Sequence, residues 1–335
     1  MVESKLFSKL PEDWACTPDG MAVDSKGRLI VACPNFADTS KTGCLLRFDL
    51  DGHMEKWIKL PPLPETGLVC PMGIAFAPDG DLYVIDNQSW LGRPGLEFKG
   101  RILRLHFDGD QLIEVTTVAS GMEHPNGMRI RDGYIYITQS CLSRVPGPDG
   151  KLVSCVYRFS IDDNNIAVNN TLEDPQIITT FVTLNPDCQY GVDGIEFDLN
   201  GDLLIGNFGD GAIHRIKFDE SGNVVTNDVW AQDSNNLQST DGMIMDEEGY
   251  LYIADFSANA IAMVRPDGSV VRIAQSPDSD GFNGELDQPG EPVIWQGNLV
   301  ISCFDLVTGP DKVNTGHEMP ATMAMIDLDE VRKLK

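Results

Sequence analysis

The chain has 335 residues, 42% of them hydrophobic and 23% charged, a balance that suits a protein with a large buried core and excludes a disordered one. Its 51 acidic residues against 25 basic ones give a formal net charge of −26, which repels phosphate backbones and anionic lipid surfaces. Nucleic acid and membrane are therefore excluded as expected partners.

The N-terminus Met1–Leu10 carries no apolar run long enough for a signal peptide, and no stretch approaches the ~18 apolar residues of a membrane span. A cytoplasmic protein is expected. The eight cysteines are scattered without a C-x-x-C pair, so neither a zinc site nor a redox motif is predicted, and most are read as small buried hydrophobes.

In chain order, the first apolar alternation is Lys5–Leu10, a strand with no partner nearby. A repeat then begins. Its unit is a polar residue, usually followed by Gly, then an apolar alternation, a turn and a second apolar run. The copies are Asp19–Cys33, Met72–Asp86, Asn126–Gln139, Asp193–Asn207, Asp241–Asp255 and Glu291–Cys303. They recur near the ~40–50 residue period of a four-stranded propeller blade. Each reads as a hairpin, with turns such as Pro78-Asp79-Gly80 and Leu199-Asn200-Gly201 between β-branched and aromatic runs.

A third strand follows each hairpin, at 43–50, 100–107, 154–161, 211–218, 260–267 and 321–328. Fourth strands follow the first five, at 53–60, 111–118, 176–183, 225–232 and 269–275. The sixth blade runs out of chain, and the N-terminal strand (about residues 4–10) supplies its missing member. The fold class predicted is all-β, a single six-bladed β-propeller over residues 1–335, its ring closed by the N-terminal strand. The segments 90–99, 141–153 and 304–320 are left as loops over one face, and no window supports a long helix.

The first strand of a blade lies nearest a propeller's axis, so the residues that open the six repeats should form a ring: Asp19, Met72, Asn126, Asp193, Asp241 and Glu291. Cys33, Asp86, Gln139, Asn207, Asp255 and Cys303 stand at the matching second-strand ends. Four carboxylates and an amide on one axis call for protonation or for a bound cation. An all-oxygen set favours Ca2+, with Mg2+ or Mn2+ as the other hard cations. Asp-Gly or Asn-Gly before a strand is also ordinary turn chemistry, but that gives no reason for Met72 or Glu291.

His124-Pro125-Asn126-Gly127, Asp193-Gly194, Asp241-Gly242 and Gly290–Trp295 together resemble the regucalcin/gluconolactonase (SMP-30-like) family of six-bladed metal-dependent hydrolases. The resemblance extends over nearly the whole chain. It implies a divalent metal, Ca2+ first, held either by Asp19, Asn126, Asp193 and Asp241 or, with the ring rotated by one blade, by Glu291, Asn126 and Asp193. It further implies hydrolysis of a small-molecule lactone or ester, the metal acting as Lewis acid while a ring carboxylate activates water. Asp241 is the expected base, or Asp193 in the rotated register, with His124 as a further candidate. His317 is weighed in the same way. The alternatives are a binding scaffold without turnover, and a lyase or organophosphate hydrolase using the same metal. No serine-hydrolase elbow, Walker loop or dinucleotide fingerprint accompanies the ring. Trp90, Phe98 and Phe36 could wall a pocket above it. The substrate's identity and the oligomeric state are not legible.

Overall fold

In a computed structural model, which describes residues 1–309 and 312–334, each repeat builds one sheet. Five sheets have four strands and one has five, and the chain is a six-bladed β-propeller. The second and third strands of a blade are buried on both faces, as in Leu29–Cys33, Leu82–Asp86 and Ala260–Val264. They are accordingly near-continuous apolar runs. Outer strands such as Met54–Lys59 and Val224–Gln232 alternate, with one side exposed.

The hairpin turns share one device. In Asp198-Leu-Asn-Gly201 the Asp198 Oδ1 accepts from the amides of Asn200 and Asp202, and Gly201 takes the positive φ of 89° that closes the turn. The same carboxylate cap recurs at Asp24, Asp49, Asp219 and Asp246. Part of the acidic excess is therefore turn chemistry.

Internal contacts gather into two units. One comprises Met1–Asp19 and Asp193–Lys335. Its last sheet is ordered Lys5–Lys9, Thr322–Asp327, Asn298–Cys303, Pro289–Trp295, with Lys5 opposite Met325. The N-terminal strand thus completes the C-terminal blade, as the sequence predicts. Its cores interleave neighbouring blades: Leu204 and Ile213 pack with Ile253 and Ala262, and Tyr252, Ile261 and Ile273 with Leu299, Ile301 and Ile326.

The other unit is Gly20–Val192. Ile30, Leu45 and Ile58 pack there with Val84, Leu103 and Leu105. Its five-stranded sheet gains a member the sequence does not reveal. Ile166–Ala167 pairs in parallel with Ala119 and Ser120, a two-residue strand too short to leave a periodic signal.

Among the described residues the expected loops carry only three-residue 3-10 turns, at Ser89–Leu91 and Pro148–Gly150, and the one α-helix is Leu328–Arg332. Among the described residues no helix is long and apolar enough to cross a membrane. None of the eight cysteines forms a disulfide, and six are buried.

Candidate metal centre

The glycine that follows the opening residue of a repeat has a structural cause other than a turn. A Cβ on Gly194 would stand 2.2 Å from the Asp241 carbonyl oxygen, and one on Gly242 would stand 2.7 Å from Glu291 Cα. In the other unit, Gly20 meets the Met72 carbonyl at 2.2 Å and Gly73 that of Asn126 at 2.5 Å. None of these four has a positive φ. Successive blades approach so closely at their inner strands that only hydrogen fits between them, which holds the preceding residues side by side.

Bulges then aim those residues. Register shifts between Pro71 and Ile74, Pro125 and Met128, and Pro289 and Pro292 contain Met72, Asn126 and Glu291. At two of them a hydroxyl replaces the lost ladder partner: Gly127 N donates to Thr138 Oγ1 at 2.8 Å, and Glu291 N to Ser302 Oγ at 2.9 Å.

One unit brings four of the predicted acids together. Asp193 and Asp19 are buried, whereas Asp241 and Glu291 are half-buried. Burial pushes the Asp193 carboxyl well above the usual range, and the negative charges of Asp19 and Glu291 push it further. Asp241 is raised for the same reasons, with Asp193 its strongest repelling neighbour and the Gly242 N–H, 3.0 Å from its Oδ1, opposing. Gly290 adjoins this group, for a Cβ there would lie 3.1 Å from Asp19 Oδ1 and 3.9 Å from Phe304 Cβ.

Asn126 and His124 belong to the other unit, where the Tyr190 hydroxyl joins them. It accepts from Asn126 Nδ2 at 3.2 Å and lies 2.7 Å from His124 Nε2. Burial lowers the His124 pKa to about 4, so the imidazole is neutral at pH 7 and shares a hydrogen bond with the hydroxyl. Tyr190 lies in an irregular loop and had no sequence signal.

The second-strand ends do different work from that of ring companions. Asp86 is fully buried, accepts from Cys70 N at 2.7 Å and pairs with Arg101 Nε at 2.8 Å. Asp255 accepts from the amides of Gln238 and Ser239, and Gln139 Oε1 from those of Glu123 and His124. These side chains fasten the segment that leads into their own blade's inner strand.

Aromatic side chains follow three of those ends. Phe208, Phe256 and Phe304 form a row with centroids 5.8 and 5.7 Å apart. The sequence carried the signal, since each comes directly after the residue closing its repeat. Phe36 and Trp90 stack at 4.4 Å and Phe98 lies under Arg144, so these three are engaged with one another or with a cation.

Residues 97–281 match the SMP-30/Gluconolactonase/LRE-like region. No curated protein shows significant sequence similarity to the chain. Among solved structures, a luciferin-regenerating enzyme is 13% identical, with 98% of this chain and 96% of that one covered at a TM-score of 0.63. A gluconolactonase from Xanthomonas campestris is 16% identical (96% and 94%, TM-score 0.59), and the calcium-binding protein regucalcin from Agrobacterium tumefaciens 14% identical (97% and 93%, TM-score 0.58). At such identities the likeness carries the fold alone. The sequence match, which runs from the second blade to the end of the fifth, carries more: this chain belongs to the SMP-30/gluconolactonase/LRE-like family.

Proposed function

We propose that the chain is a metal-dependent hydrolase of a small-molecule lactone or ester. One observation carries the reading: Asp19, Asp193, Asp241 and Glu291 crowd one site, where the charges of Asp19 and Glu291 both repel Asp193. Such a set is stable only protonated or around a cation, and its oxygens suit Ca2+ before zinc. Their oxygens therefore suit a hard divalent ion by chemistry, with carboxylates of this set as its ligands. Family membership agrees with this, and regucalcin, of the same fold, is named a calcium-binding protein.

What a bound cation supplies is Lewis-acid polarisation of an acyl carbonyl. The chain's own residues do the rest. Asp241 is the general base: its Oδ1 is held by the Gly242 N–H, and its partial exposure leaves an oxygen for water. It takes the proton as water adds to the carbonyl and returns it to the departing alkoxide. Asp193, more deeply buried, serves chiefly as ligand. Phe256, the half-buried middle member of the aromatic row, offers an apolar surface for the carbon skeleton of the substrate, with Phe208 and Phe304 buried on either side of it.

The test measures bound metal and the hydrolysis of sugar lactones, aliphatic lactones and aryl esters before and after chelation. Wild type is compared with Asp193→Ala and Asp241→Ala, and Asn126→Ala probes the remaining ligand expected from the sequence. Activity that needs a stoichiometric cation and collapses in both aspartate variants supports the reading. A folded protein that binds no cation at saturating concentration overturns it.

A further inference from the structure

A second group of acids lies away from the residues that open the repeats, in the two long loops of the last blade. Asp287 ends the segment before the strand Pro289–Trp295, and Asp305 and Glu318 belong to the segment between Asn298–Cys303 and Thr322–Asp327. One carboxylate oxygen of each lies within 4.8 Å of the others. Asp287 and Asp305 are each only 2% exposed.

Asp305 is well supplied with donors: Asn314 Nδ2 at 3.2 Å, the Glu318 amide at 2.8 Å and His317 Nδ1 at 3.1 Å. Asp287 is not. Among the described residues no donor reaches its carboxylate, and the charges acting on it are those of Asp305, Glu318, Asp278 and Asp280, all repulsive. Burial and that repulsion raise it to about 8, and Glu318 is raised as well.

An independent observation marks the same spot. The Asn314 side chain, 3% exposed, rests with its amide against Asp305, yet among the described residues no hydrogen-bond donor reaches its buried Oδ1. A buried amide oxygen left unpaired keeps the cost of its lost hydration. The His317 Nδ1 is taken by the carbonyl and carboxylate of Asp305. One cation among these oxygens would answer the mutual repulsion of the acids, the unpartnered Asp287 and the orphaned Asn314 oxygen together.

We propose that Asp287, Asp305 and Glu318, with Asn314 Oδ1, form a second divalent-cation site that ties the two loops of the last blade together. Carboxylate and amide oxygens on irregular backbone suit Ca2+, which tolerates variable geometry, better than Mg2+, which demands a near-regular octahedron. The site has no part in the hydrolytic step and stands whether or not that reading holds.

The experiment counts calcium on the full chain, stripped with chelator and then titrated with calcium chloride alone. The proteins are wild type, Asp193→Asn/Asp241→Asn, Glu318→Gln, and the combination of all three substitutions. Glu318 is half-buried at the rim, and the change keeps its shape, so Glu318→Gln should fold. The expected result is one equivalent retained by Asp193→Asn/Asp241→Asn, with its affinity at least tenfold weaker once Glu318→Gln is added. Asp287→Asn, if it folds, should remove that equivalent altogether. Retention of no calcium by Asp193→Asn/Asp241→Asn, or an isotherm unchanged by adding Glu318→Gln, overturns the proposal. Hydrolysis undiminished in Asp193→Asn/Asp241→Asn with this equivalent retained would count against the catalytic reading alone.

Discussion

Gly194 and Asp241 pack so tightly that no side chain can come between them: a Cβ on the glycine would meet the aspartate's carbonyl oxygen at 2.2 Å. The obstacle is backbone, which cannot swing aside. Gly194→Ala should destabilise the protein by about 3 kcal/mol, the upper range for overpacking. It should also loosen metal binding by shifting Asp193 away from Asp241. Urea denaturation and a calcium titration of the same sample check both, and an alanine variant of wild-type stability would show that the blades can separate.

Arg101 is the charge partner of fully buried Asp86. Burial raises the Asp86 pKa, with Arg101 opposing that rise. Arg101→Met should cost about 3–5 kcal/mol because it strands a carboxylate in the interior. Adding Asp86→Asn should recover a good part of the loss, since it removes the stranded charge. Equal stability of the single and double variants in chemical denaturation would mean that Arg101 acts only through packing.

His124 makes stability pH-dependent. In the folded protein its pKa is lowered to about 4, against about 6.5 unfolded, so between those values the unfolded chain binds the extra proton. The stabilisation is fully present above about pH 6.5 and is lost as pH falls towards 4, with a slope of at most ~1.4 kcal/mol per pH unit. His124→Phe should flatten the fall across that window. The midpoint of denaturant unfolding at each pH reads the effect.

Phe256 is the middle member of the aromatic row and is only half-buried, so its truncation should leave the fold intact. If the row receives the substrate's skeleton, Phe256→Ala should raise KM about tenfold for aryl esters, from ~1.5 kcal/mol of lost burial, with kcat unchanged. Compact sugar lactones should be much less affected. A uniform loss of kcat across the panel would instead mean that the row supports the acids.

Much of this was legible in the sequence because it rests on local periodicity. Alternating runs fixed the strands, and the register of the repeats picked out Asp19, Asp193, Asp241 and Glu291, which one unit does gather. The shortage of strands in the last copy pointed to Lys5–Lys9. What escaped depends on contacts between distant segments. The glycine after Asp193 or Asp241 looks the same in a string whether it serves a turn or a close approach, and only the neighbouring blade tells them apart. Asp86 and Asp255 looked like companions of the ring until their amide and guanidinium partners were in place. Asp287, Asp305 and Glu318 come from two loops with no period to align them. The Phe208, Phe256 and Phe304 row was readable in the alignment of repeats, one position beyond its stated end.

The pairing of Lys5 with Met325 bears on how the protein is made. This strand finds its partner only 320 residues further along the chain (325 − 5), so its edge must stay unpaired while the residues between them are made. Blades assembled from adjacent segments can form as they emerge, whereas the last one cannot, and its long loop closure makes it the slow step. During that wait Lys5 and Lys9 flank the strand with charge, which discourages pairing with another nascent chain. A circular permutant that moves residues 1–10 behind residue 335 would turn this last blade into a contiguous one, and it should refold faster and aggregate less than the native order.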